Sequence, residues 1–274
     1  PDGSEHTRFS TMGFNPYFHS ASFIEEELSD NAAILKVHSK IAFVYFYGAG
    51  ASSEGLQDIV KDGLTKVFVN AKVRVDHDLL ASAYSTYTGE PAITCIIGTG
   101  SNSCYFDGNE VSEVVPALAY ILGDEGSASY IGKRLVSDFL YKKLPQEMAD
   151  DFFNTYQLDK DEIITSVYNK PNANVYLASF SRFAGKHMHT TYVQDIIREG
   201  FSKFADIHIA CFENCREVPV HFVGSVGAIF QDILLEVLEE RGMKLGQILR
   251  KPVDGLIKYH LEYLRVLDAY QEQT

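Results

Sequence analysis

Three glycine-rich turns close predicted strands in this chain: Gly48-Ala49-Gly50, Gly98-Thr99-Gly100-Ser101 and Gly224-Ser225-Val226-Gly227. Ligands of α/β folds gather at the carboxyl ends of strands, where glycine lets backbone N–H groups approach an anion and the next helix N-terminus adds partial positive charge. One such turn alone is more often a plain connection. Three of them, with acidic segments between, point to a nucleotide cleft. The acidic segments are Asp76-His77-Asp78, beyond a predicted strand, and Gly123-Asp124-Glu125-Gly126, at the head of a predicted helix. None of the turns is a Walker A loop, which ends in Gly-Lys-Ser/Thr, and none is a G-x-G-x-x-G opening a βαβ unit.

Two other groupings carry less. His187 and His189 could face one metal from a strand, but the flanking pattern is helical and no carboxylate or cysteine is spaced to complete the set, so no metal site is expected. Cys211 and Cys215 lie one helical turn apart and read as a buried or idle pair, while Cys95 and Cys104 sit in apolar strand-like runs as small hydrophobes.

Those residues need strands and helices to place them. β-Branched and aromatic runs alternate with helical patterns, which is the rhythm of an α/β protein. A hairpin-like start through Phe9 leads to a helix near 21–35 and a buried-strand run over 41–47. A helix should follow from Ser53, which has N-cap chemistry, and a strand over 72–75 should lead through Asp76 and Asp78 into a helix to Tyr87. Gly89-Glu90-Pro91 ends that helix and places a domain boundary, because Pro holds its predecessor extended. Next come a strand over 92–97, a tight turn over 98–102, a strand over 103–106 and another from Glu110. Gly123 to Ser127 opens a long helix to about Lys143, with Leu135, Val136, Phe139 and Leu140 in the core. Residues 146–212 read as mostly helical with solvated charges. A last strand covers 218–223, before a helix with Ile229, Ile233, Val237 and Leu238 on one face and Gly242 as its C-cap. A closing helix from Gly255 to about Tyr270 should pack back on the first domain.

Composition narrows the partners. With 24 Lys+Arg against 37 Asp+Glu among 274 residues, the formal charge is −13, so phosphate backbones and anionic lipid are repelled and neither nucleic acid nor membrane is an expected partner. The longest apolar stretches, 41–47 and 114–122, fall far short of the ~18 residues that span a bilayer. Four cysteines are too few for a disulfide scaffold and fit a reducing cytoplasm. The start at Pro1 shows no charged region followed by an apolar one, so no signal peptide is expected.

The string CIIGTGSNSCYFDG (Cys95 to Gly108), with YILGDEGSASYIGKRL (Tyr120 to Leu135) and HFVGSVGAIF (His221 to Phe230), resembles the N-acetylglucosamine kinase and BadF/BadG/BcrA/BcrD ATPase family, part of the superfamily of sugar kinases, Hsp70 and actin. The likeness runs from about Gly13 to His260 and is carried by GTGSN together with GDEGS. It implies an α/β protein of two ribonuclease H-like domains, the actin-like ATPase fold, with a hinged cleft. Residues 1–90 with 253–274 would form the first domain and 91–252 the second. It also implies ATP and Mg²⁺, and transfer of a phosphoryl group to an amino sugar, with the 6-hydroxyl of N-acetylglucosamine as first candidate and glucosamine or N-acetylmuramic acid as alternatives. Relatives are often dimers, so a homodimer is the oligomer to look for.

By the same resemblance, Gly98, Thr99, Gly100 and Ser101 form the second phosphate loop, facing the terminal phosphates of ATP, and Gly224 and Ser225 form the adenosine turn. Asn15 contacts the sugar, the Gly48 turn borders the same pocket, and Asp124 is a further sugar contact. Asp78, followed by Ala81 three residues on, is the base that takes the proton from the sugar hydroxyl. Phosphoryl transfer requires an aligned acceptor oxygen, stabilised phosphoryl charge and removal of one proton, and a carboxylate at a strand end suits the last task. Two alternatives stay open: Asp78 as cap of a helix beginning at Leu79, and Asp76 as the base.

One departure from the family stands out. Its first phosphate loop, Asp-x-Gly-x-Thr-Lys-Thr, has no counterpart here, and Pro1-Asp2-Gly3-Ser4 reads as the turn of a later strand pair. The first strands of the N-terminal domain are therefore expected to be cut off or not shown; the chain as it stands is expected to be catalytically poor and the native protein competent. A different class competes with the kinase: ATPases that activate a radical dehydratase or a benzoyl-CoA reductase, with an iron–sulfur cluster between subunits. Cys211 and Cys215 prompt that comparison, but their context does not match those activators.

Overall fold

Alternating β-branched and aromatic residues make β1 (Phe43–Gly48) and β2 (Lys72–His77) a parallel pair, in register from Phe43 beside Lys72 to Gly48 beside His77. Both chemical segments, the Gly48 turn and Asp76-His77-Asp78, thus leave the pair at one edge. The computed structural model describes residues 4–264 and divides the chain within α4 (Asp78–Thr86): residues up to Ala81, with those from Ile257 onward, form one unit, and Ser82–Leu256 the other.

In the first unit α1 (Ala21–Ser29) lies across α3 (Glu54–Val67), which joins β1 to β2. They meet at Gly63, where a methyl group would stand 2.8 Å from the Ala21 carbonyl oxygen. Ile24, Leu28, Val60, Leu64 and Val75 form the core, with Ile34 of α2 (Ala32–Leu35). The single helix expected over 21–35 is two, because the Asn31 side chain accepts from the N–H groups of Ala33 and Ile34 and starts a new helix there. The hairpin-like start is also corrected: residues 4–15 form no strand, and the described residues pair none with them. Ser53 precedes α3 as expected, although its side chain makes no capping bond.

The second unit is built on a five-stranded sheet in the order β5-β4-β3-β6-β7. β3 (Ala92–Ile97), β4 (Ser101–Phe106) and β5 (Val111–Ser112) run antiparallel in turn, while β6 (Pro219–Val223) and β7 (Lys244–Leu249) run parallel to β3. β6 is therefore not the last strand. β7 reads Lys-Leu-Gly-Gln-Ile-Leu because it is an edge strand, half exposed, and lacks the apolar run that marks β3 and β6.

Between β5 and β6 come α5 (Ala119–Leu122), α6 (Ala128–Leu140), α7 (Gln146–Tyr156), α8 (Lys160–Tyr168), α9 (Ala173–Ser179), α10 (Ser181–Lys186) and α11 (Thr191–Phe204), the last running into a π-helical turn over Ala205–Ile209. After β6 come α12 (Ser225–Ile229) and α13 (Gln231–Glu239), split at the buried Phe230 where one helix was expected, and after β7 comes α14 (Val253–Tyr259). Gly242 takes a left-handed conformation just past α13 (φ +66°). α14 gives way to a π-helical turn over His260–Leu264; the rest of the closing helix, and the first three residues of the turn expected over 1–4, lie outside the described residues.

Ile93, Cys95 and Ile97 of β3, with Val220 and Phe222 of β6, pack against Ile131 and Leu135 of α6, Phe201 and Phe204 of α11 and Val237 of α13. Each such side chain, once fully buried, contributes about 1.5–3 kcal/mol over its exposed state. Val136 joins this core, and Phe139 and Leu140 pack on its margin. From the opposite face of the sheet, Thr94 meets Thr86 of α4 through their hydroxyls (3.1 Å), and Phe106 takes Tyr84 edge-on.

Candidate active site

Because β3 and β6 are parallel, the turns that follow them, 98–101 and 224–225, emerge at the same edge of the second unit's sheet. They touch through backbone. Gly224 has φ +133°, and a Cβ there would run into the Ile97 carbonyl and come within 3.1 Å of the Gly98 nitrogen, so only glycine lets the turns approach this closely. The carbonyls of Gly98 and Thr99 accept from Ala128 and Ser129 at the head of α6 (2.8 and 3.1 Å), which ties the turn to that helix and leaves Thr99 exposed at its tip.

The acidic loop completes this assembly. Asp124 is buried, with φ +58°, and its carboxylate accepts from the Ser101 amide at 3.1 Å and the Ser129 hydroxyl at 3.4 Å. Burial pushes its carboxyl above the usual range, against the opposing pull of the Ser101 amide and the Ser129 hydroxyl. Gly100 is required beside it, since a Cβ would sit 2.7 Å from the Asp124 Oδ1. The Ser101 hydroxyl donates to the Glu125 carbonyl at 2.9 Å. Ser101 therefore turns both its amide and its hydroxyl inward to the acidic loop, and Thr99 carries the exposed hydroxyl of the turn.

The first unit brings Asn15 and the Gly48 turn together. The Asn15 Oδ1 accepts from the Tyr17 amide at 3.0 Å, and its backbone N–H donates to the His19 Nδ1 at 3.1 Å. Gly50 (φ +85°) lies under the Asn15 carboxamide, which would collide with any Cβ there, and Gly48 packs against the Phe46 ring. Asp78 is the first residue of α4. Burial pushes its carboxyl upward, opposed by the charge of His77 and the Leu79 amide. The helix thus begins at Asp78 rather than Leu79, and it is the His77 Nδ1 that accepts from the Leu80 amide (3.3 Å) as a cap would. Asp76 accepts from Arg74 Nε at 3.0 Å on the same strand.

Elsewhere, His187 is bonded to Asp151 (2.6 Å) beside Lys186, and its ring lies 6.3 Å from that of His189. Among the described residues no three or more His, Cys, Asp and Glu side chains gather as metal ligands, and no helix is long and apolar enough to cross a membrane. Cys95, Cys104, Cys211 and Cys215 are all free thiols.

A solved structure from Porphyromonas gingivalis, provisionally described as an N-acetylglucosamine kinase, is 34% identical to this chain, covers 96% of it and 94% of its own length, and superposes with a TM-score of 0.91. The chain belongs to the N-acetylglucosamine kinase family. A second protein under the same provisional description, from Chromobacterium violaceum, shares the fold at 15% identity, with a TM-score of 0.56 over 73% of this chain and 72% of its own. No family model and no curated protein matches the chain. The α/β architecture is accordingly the actin-like ATPase fold of sugar kinases.

For a member of the N-acetylglucosamine kinase family, three histidines that support candidate residues, two in the first unit and one in the second, escaped the sequence. His19 fixes the Asn15 backbone, His77 caps α4, and His208 meets Glu125. A histidine next to Asp78 at a strand end was the one available signal; His19 falls between the Asn15-Pro16 block and the helix expected over 21–35, and His208 lies in a pattern that shows only helix.

Proposed function

We propose that this protein is an ATP-dependent sugar kinase that transfers the γ-phosphoryl group of MgATP to the 6-hydroxyl of N-acetylglucosamine. The reading is carried by the bond from the Ser101 amide to Asp124, which makes the glycine turn and the acidic loop one assembly in a chain of the N-acetylglucosamine kinase family. Gly98, Thr99 and Gly100 would hold the terminal phosphates through backbone N–H groups and the exposed Thr99 hydroxyl, with Ser101 keeping the turn in shape. Gly224 and Ser225 would border the nucleoside. Asn15, seated on Gly50, offers its amide NH₂ to a sugar oxygen, the Gly48 turn borders that contact, and Asp124 accepts from a sugar hydroxyl. Magnesium would travel with the nucleotide phosphates.

In the transfer, the bond from the γ-phosphorus to the bridging oxygen breaks as the sugar oxygen bonds to phosphorus, and Asp78 takes the hydroxyl proton on its carboxylate. A carboxyl raised by burial is a better proton acceptor than a fully solvated one. The free thiols suit a reducing, cytoplasmic setting. The test measures ADP release by the full-length protein with a panel of hexoses and hexosamines. Release that rises with N-acetylglucosamine and with no unmodified hexose is expected; release at the same rate with and without every sugar would identify an ATPase activator instead.

A further inference from the structure

His208 is buried at 3% exposure on the π-helical turn that ends α11, in the second unit. An α-helix would continue with i to i−4 bonds, but here the Ala210 amide reaches the Ala205 carbonyl (2.8 Å), and such an inserted residue re-aims the side chains around it. His208 stacks on Phe204, with ring centroids 5.0 Å apart. Its Nε2 lies 3.3 Å from a Glu125 carboxylate oxygen, and its backbone carbonyl accepts from the Ser103 hydroxyl at 2.6 Å. The Nδ1 is buried without a partner. The tautomer with its proton on Nε2 is the one that donates to the Glu125 carboxylate, which can only accept.

We infer that His208 is a positioning residue for the proposed phosphate-side assembly: its ring holds the acidic loop through Glu125, and its backbone carbonyl ties the same turn to strand β4 through Ser103. Glu125 in turn receives the Ser101 hydroxyl on its carbonyl, so one buried residue is linked to the 98–101 turn by two routes. Such a brace matters because a misplacement of about 1 Å in an aligning group is enough to cost ~10²-fold in rate. The catalytic consequence rests on the kinase reading given above; the mechanical one does not.

Four proteins decide it: wild type, His208→Ala, Glu125→Ala and the double variant, with His208→Gln as a rescue that returns a side-chain N–H near the Nε2 position. Hydrogen exchange of residues 99–105 and 123–129 is read without any substrate, and kcat/KM for ADP release is read with N-acetylglucosamine. His208→Ala keeps the backbone carbonyl that Ser103 bonds, so it is expected to speed exchange in residues 123–129 while 99–105 change less, and to lower kcat/KM about tenfold to a hundredfold, the loss expected for one hydrogen bond to a charged group. His208→Gln should recover most of both, and the double variant should be no worse in residues 123–129 than His208→Ala alone. Unchanged exchange at 123–129 in His208→Ala, or additive effects in the double variant, would overturn the inference. If His208→Ala fails to fold, exchange in Glu125→Ala decides, because that change removes the acceptor without opening the core. A wild type that phosphorylates no sugar sinks the functional reading while the exchange result still judges the brace.

Discussion

Two carboxylates of similar sequence context are separated by what surrounds them. Asp76 is paired with Arg74, whereas the Asp78 carboxyl is pushed upward by burial at the head of α4. A base in phosphoryl transfer must be ionised, so kcat/KM should rise with pH along an acidic limb displaced above the ordinary carboxylate range. Asp78→Asn should abolish that limb, lower turnover by about 10²- to 10⁴-fold and leave nucleotide binding near wild type. Stability gives the opposite sign. A carboxyl raised in the folded state contributes stability that is fully present below its unfolded pKa and is lost as pH rises through the folded value, so Asp78→Asn should not lower Tm at neutral pH. A helix cap would behave otherwise, since its loss costs about 0.5–2 kcal/mol. A variant that melts earlier yet keeps its turnover would return Asp78 to the role of a cap. The residue types were legible before the fold: Asp78, Asn15 and the glycines stood out by type and by likeness. What escaped were their supports, His77 and His19, because a bond from a backbone amide to a ring nitrogen leaves no trace in spacing.

At the scale of elements, the parallel run of β3 and β6 sets both glycine turns at one edge, and Gly224 is where their backbones meet. Gly224→Ala should force the turn off Ile97 and raise the Kd for a nonhydrolysable ATP analogue at least about tenfold, since a strained left-handed residue costs of order 1–3 kcal/mol before any clash. Calorimetric titration showing unchanged affinity would detach that turn from the nucleotide. The strands themselves were readable, since β3 and β6 are apolar runs ended by glycine. β7 was not, and with it went the reason for His221. The β6–β7 register shifts between Val220 and Phe222, and the His221 ring lies against Gly246, where no Cβ fits. Its Nδ1 accepts from the Gln247 amide at 2.8 Å, and burial pushes the imidazole down to about 4. A histidine lowered in the folded state contributes stability present above its unfolded pKa of about 6.5 and lost as pH falls toward 4, on the order of 3 kcal/mol across the window. His221→Asn keeps an acceptor and does not titrate. Thermal melts between pH 6.5 and 4 should therefore fall less steeply in that variant, and identical slopes would refute the assignment.

For the molecule as a whole, the two units hold very different amounts of core. Among the described residues the second buries Phe152, Phe180, Phe201, Phe204 and Phe222 around a five-stranded sheet, while the first rests on a two-stranded sheet and a smaller cluster around Ile24, Ile34 and Val60. A two-stranded sheet is marginal by itself and needs its helices to stay folded. The loss of burial per residue translates into a lower local opening energy, so the units should separate in native-state hydrogen exchange. Amides of β1, β2 and α3 should exchange through a subglobal opening at lower denaturant, and those of β3, β4 and β6 only with global unfolding. If the nucleotide side belongs to the second unit, a nonhydrolysable ATP analogue should raise protection there by the linkage relation, about 2.7 kcal/mol at a hundredfold excess over Kd, while the first unit's opening stays where it was. Uniform protection across both sets of strands would show that one cooperative unit holds them all, and protection confined to β1 and β2 would place the nucleotide on the wrong unit.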